Sequence, residues 1–129
     1  MRKRQGFTLV EIMIVVAIIA LLAAIAIPNL MRAKIQANDA AAKSHLKSLS
    51  TSSETFASIN SGSYPTDITS LTGVSPPYIS QTFCGTTLSG YLYTCSFSNI
   101  GYTFIAAPVT VGTSGTTTFT ITTGSILTP

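Results

Sequence analysis

The chain has 129 residues, 46% of them hydrophobic and only 9% charged, with a formal net charge of +3. That length suits one small domain plus an N-terminal segment. The charge is unevenly placed and argues against nucleic acid as a partner. Arg2, Lys3 and Arg4 carry the whole excess, and from Phe7 onward Arg32, Lys34, Lys43 and Lys47 are balanced by Glu11, Asp39, Glu54 and Asp67. No dedicated basic face remains for phosphates.

The basic leader Met1-Arg2-Lys3-Arg4-Gln5 is followed by Gly6 and an apolar run from Phe7 to Ile27, 21 residues. At about 1.5 Å per residue such a helix crosses the ~30 Å hydrocarbon core of a bilayer. Glu11 lies inside the run, and a charge there is costly unless paired or functional, so it needs a partner. Three readings stand. A transmembrane anchor would keep Arg2 to Arg4 on the cytoplasmic side. A secretory signal would use Ala24-Ile25-Ala26 as its small-x-small cut, but the run exceeds the usual apolar region and Glu11 stands at its entrance. A leader cut just before the apolar helix would leave that helix in the mature protein, and only this reading gives Gly6 and Glu11 a role.

From Phe7 to about Ile59 only Pro28 interrupts a helical composition, and it predicts a kink rather than a stop because the pattern resumes at once. Beyond it Ile35, Ala42, Leu46, Leu49, Ser53 and Phe56 form one stripe, while Lys34, Asp39, Lys43, Lys47 and Glu54 lie mostly away from it. Asn60-Ser61-Gly62-Ser63-Tyr64-Pro65 ends the helix. A Ser/Thr/Gly/Pro-rich connector runs to about Gly90. The period then changes to two. Tyr91, Tyr93, Cys95 and Phe97 alternate with Leu92, Thr94 and Ser96, the turn Ser98-Asn99-Ile100-Gly101 follows, and Tyr102, Phe104 and Ala106 form a second run. Thr116 to Thr123 predicts a third strand with Phe119 and Ile121 inward, and Ser125 to Leu127 a short fourth. The expected fold class is α+β: a long N-terminal helix, kinked near Pro28, packed on an antiparallel sheet of three to four strands.

Cys84 and Cys95 are the only cysteines. With the head outside the cytoplasm they are expected to form a disulfide, and two free buried thiols are the alternative. Nothing points to catalysis. His45, the sole histidine, lies between Lys43 and Lys47 and is expected to be a solvated or interface side chain, without a His/Cys/Asp cluster to make it a ligand. Asp67 has no second acid nearby, and no nucleophile motif or phosphate loop is present. No metal or cofactor is expected.

Gly6-Phe7-Thr8-Leu9-Val10-Glu11, between the basic leader and the apolar run ending at Pro28, resembles the N-terminus of class A type IV prepilins and type II secretion pseudopilins. The resemblance implies cleavage between Gly6 and Phe7 by a prepilin peptidase, N-methylation of Phe7, and pairing of Glu11 with the N-terminal amine of Phe7 on an adjacent subunit. It divides the chain into a leader (1–6), a membrane and assembly helix (7–30), an amphipathic half packing on the head (31–60) and a connector with a β head (61–129). The implied partners are other copies in a helical filament, the inner membrane before assembly, the peptidase, and an assembly platform with its motor ATPase. The filament would end at the cell surface and serve adhesion, motility or DNA uptake. The major secretion pseudopilin usually carries an acidic calcium loop in its C-terminal region, and here no acid follows Asp67, which favours a pilin or a pilin-like minor subunit. The rivals are a pseudopilin in a short periplasmic filament and a signal-anchored periplasmic binding module.

Overall fold

The computed structural model describes residues 6–129, so the leader residues 1–5 lie outside the described residues. Helix α1, Leu9–Ile59, runs for 51 residues and continues through Pro28, which removes only one backbone N–H donor. Thr8 starts it, its carbonyl accepting from Ile12 N at 3.3 Å. At the other end Ser61 adopts φ 55° and the Gly62 N–H closes onto Ala57 O at 2.8 Å, a six-to-one bond that satisfies a terminal carbonyl.

Two compact units divide between Ala33 and Lys34. In the first, every large apolar side chain between Leu9 and Leu30 is at least half exposed. A helix apolar on all sides requires lipid or other helices around it, and α1 contains a segment long and apolar enough to cross a membrane.

The second unit has its own core. A five-stranded antiparallel meander, β1 (Thr87–Leu88), β2 (Tyr91–Ser98), β3 (Gly101–Pro108), β4 (Phe119–Thr122) and β5 (Ile126–Thr128), keeps its strands in chain order. Alternation sends Tyr91, Tyr93, Tyr102, Phe104, Ala106, Phe119 and Ile121 inward, where they cluster with Ala42, Leu46 and Leu49 of α1. The register places Ala106 opposite both Tyr93 and Phe119, and Phe104 opposite Ile121, so small and large side chains interleave. Burying Leu46 and Leu49 contributes about 2 kcal/mol each.

The sheet has more strands than the sequence pattern predicts. β1 is two residues long, too short to alternate, and lies within the expected connector. Its mark is the turn Ser89-Gly90, with φ 50° and 75°, the paired left-handed geometry of a tight hairpin. A single helical turn, α2 (Thr69–Thr72), also lies in the connector. Gly115 is required by contact rather than turning: a Cβ at this position would run into the Tyr91 ring.

Asp39 and Glu54, expected away from the buried stripe, turn inward instead, and His45 takes the interface place of its two expected settings. Asp39 accepts from Tyr91 Oη at 2.7 Å and from Thr116 Oγ1 at 2.7 Å. His45 Nδ1 lies 2.8 Å from Tyr93 Oη, with its ring stacked on Phe83 at 4.9 Å. Glu54 accepts from Tyr102 Oη (2.8 Å), Tyr64 Oη (2.9 Å) and Gly124 N (2.8 Å). Because Tyr102 gives its one hydrogen to Glu54, Ser50 must donate to Tyr102 and Ser125 to Ser50, each across 2.7 Å. Elsewhere on α1 the hydroxyls of Ser48, Ser52, Ser53 and Thr55 each donate to the carbonyl four residues back.

Cys84 and Cys95 form a disulfide with Cα atoms 5.4 Å apart, joining the connector to β2. The same stretch is paired through the backbone, Gly85 N to Tyr93 O at 2.8 Å and Tyr93 N to Thr86 O at 3.1 Å.

Burial alone would raise both helix carboxyls. For Glu54 the bonds from Tyr102, Gly124 and Tyr64 outweigh it, and for Asp39 those from Tyr91 and Thr116 with the nearby Lys43 charge. Both are held below the usual carboxylate range. Burial also lowers His45. All three groups therefore take up protons more readily when unfolded, and stability falls as pH falls. The head is expected to lose stability first as pH drops below about 6.5, the ordinary histidine value, and again below about 4 as Asp39 and Glu54 protonate. Thermal melts across pH check this, with His45→Gln removing the first step alone. Glu54→Ala takes the acceptor from two phenols and an amide. It should cost about 1–2 kcal/mol, lowering Tm by roughly 5–15 °C, with Glu54→Gln milder.

Candidate functional site

Gly6, Phe7 and Thr8 precede the first turn of α1. Gly6 is exposed, and among the described residues nothing lies within 4 Å of where a Cβ would stand. Among the described residues no contact requires glycine there. Phe7 is 84% exposed.

Glu11 is not an orphan carboxylate in the single chain. Its Oε2 accepts from Thr8 N and from Thr8 Oγ1, both at 2.8 Å, while Glu11 N donates to Thr8 Oγ1 at 3.2 Å. This reciprocal pattern is a capping box, in which the residue before the helix and the third residue within it satisfy each other's backbone donors. The carboxylate also sits at the positive end of the helix dipole. The sequence signal is Thr-x-x-Glu ahead of an apolar run, and reasoning from charge alone passes over it. Thr8 thus joins Gly6, Phe7 and Glu11 as a residue of this site. Chemically the box gives the carboxylate two neutral donors and no countercharge, and Oε1 takes no bond among the described residues.

The remaining expected site residues lie apart. Pro28 is well inside α1, and the bonded Cys84–Cys95 pair belongs to the head. His45 is packed against Phe83 and Tyr93. Among the described residues no three His, Cys, Asp or Glu side chains gather where a metal ion would sit.

Residues 1–27 match the family model described as the prokaryotic N-terminal methylation motif. The chain is 50% identical over 54 residues to the type IV major pilin protein PilA of Myxococcus xanthus, a match covering 42% of this chain and 24% of that protein. It is 54% identical over 46 residues to the type IV wide pilus major component PilA4 of Thermus thermophilus, covering 36% and 35%. The type II secretion system core protein G of Aeromonas hydrophila is 35% identical over 65 residues, covering 50% and 45%. The chain thus spans less than half the length of each of these relatives. No solved structure matches it. The chain carries the N-terminal methylation motif, and behind it a pilin-like α+β architecture of one long helix and an antiparallel sheet.

Proposed function

We propose that this chain is the structural, non-catalytic subunit of a type IV pilus, held in the inner membrane by α1 until it joins a helical filament at the cell surface. The observation that carries the reading is the N-terminal site: an exposed glycine, then a capped carboxylate, at the head of a helix whose large apolar side chains from Leu9 to Leu30 are uncovered. A peptidase that must reach the Gly6–Phe7 bond supplies a reason for Gly6. The cut creates a cationic amine at Phe7. In the bilayer Thr8 holds the Glu11 carboxylate with neutral bonds, and in the filament the amine of a neighbouring copy supplies the countercharge. A misregistered copy would leave that charge unpaired in an apolar bundle, so the pair sets register while packed apolar helices supply the adhesion.

A secretion pseudopilus is the second reading, because the match to core protein G of Aeromonas hydrophila reaches across 50% of the chain, further than the pilin matches quoted above. The acid-free stretch beyond Asp67 favours the pilus.

Glu11→Ala should leave the subunit in the membrane and abolish sheared filaments, whereas a periplasmic binding module would tolerate it. Thr8→Val should reduce filament yield several-fold, and Thr8→Ser should restore it. Mass spectrometry of the mature subunit is expected to find Phe7 at the N-terminus bearing one methyl group, and an N-terminus still carrying Gly6 overturns the processing step.

A further inference from the structure

Within the second unit, α1 and the loop 77–80 flank a cleft of about 640 Å³ whose one charged lining group is Lys47. Three of the hydroxyls around it are already committed to backbone carbonyls: Ser48 to Ser44 O, Ser52 to Ser48 O and Tyr78 O, and Thr55 to Thr51 O. The helix wall therefore offers hydroxyl groups and a single cation, which suits a carboxylate. Lys43, by contrast with Lys47, lies over the Phe119 ring at 4.8 Å.

The second unit has three side-chain carboxylates, Asp39, Glu54 and Asp67. Asp39 is bonded through both oxygens, to Tyr91 and Thr116, and Glu54 through both, to Tyr102, Gly124 and Tyr64. Asp67 differs. Its Oδ1 accepts from Thr69 Oγ1 (2.7 Å), Ser70 N (2.8 Å) and Ser70 Oγ (2.9 Å), while Oδ2 takes no bond among the described residues. Asp67 is exposed, so a bonded turn presents half a carboxylate outward.

Head-to-tail association, the kind that builds a helical filament, needs two different complementary patches on one chain. We propose that Asp67 of one copy enters the Lys47 cleft of a neighbouring copy, so that every copy gives one ion pair and receives one. This rests on the filament reading and adds a specific contact between heads. An exposed pair of this kind contributes little to adhesion, but it rejects arrangements that bring like charges together.

The test is a charge exchange in the full chain expressed with its assembly machinery: Lys47→Asp, Asp67→Lys, the double exchange, and Asp67→Asn, which keeps the Oδ1 acceptor and removes the charge. Sheared filaments are measured against membrane-held subunit, with Glu11→Ala as the non-assembling control. Each single exchange should lower filament yield about tenfold or more, and the double should recover to near wild type. Asp67→Asn should fall in the same direction by less, with an unchanged head Tm. Wild-type yield in the single exchanges, or no recovery in the double, overturns the pairing and leaves the filament reading standing. A wild-type chain that forms no filament overturns both.

Discussion

Tyr91, Tyr93 and Tyr102 point their rings into the core of the head, and an unpaired hydroxyl there would undo much of the benefit of burying the ring. Helix α1 meets each one: Asp39 for Tyr91, His45 for Tyr93, Ser50 and Glu54 for Tyr102. At 3.6 residues per turn Asp39, Ser50 and Glu54 fall on one flank of the apolar residues Ala42, Leu46 and Leu49, and His45 on the other. A single side of one helix thus supplies both the apolar contact and the polar partners, and a sheet slipped by one residue would lose both. That is a stronger determinant of register than apolar packing alone, since hydrophobic surfaces tolerate sliding and directed bonds do not.

Most of the strands are legible in the sequence because alternation survives in the side chains: Tyr91 and Tyr93, Tyr102 through Ala106, Phe119 and Ile121 all follow their period inward. The helix is legible from composition. The inward turn of Asp39 and Glu54 is not, because charge ordinarily signals solvent, and periodicity does not reveal that a tyrosine hydroxyl waits across the interface. β1 carries no period in its two residues, although Ser89-Gly90 is a hairpin signal in its own right. At the N-terminus the motif exposes Gly6, Phe7 and Glu11 directly. Thr8 stays hidden behind the question of charge, which directs attention to another chain when a neutral partner stands three residues away.

The N-terminal site and the head manage carboxylates by the same device. In both, the direct bonds to the acid come from hydroxyls and backbone amides, so the charge is held with little dependence on salt. On the proposed reading this leaves Glu11 stable in the membrane yet available, since a cationic amine in an apolar setting adds a Coulombic attraction that neutral donors lack.

The serines and threonines of α1 between Ser48 and Thr55 have a consequence for solvation. Ser48, Ser52, Ser53 and Thr55 each turn a hydrogen back to the carbonyl four residues earlier, so the exposed ones among them meet water only as acceptors. Water held at the exposed hydroxyls of Ser48 and Thr55 therefore turns a hydrogen toward the protein. A surface that looks merely polar by composition therefore has a directional preference, set by where the hydroxyl hydrogens have gone.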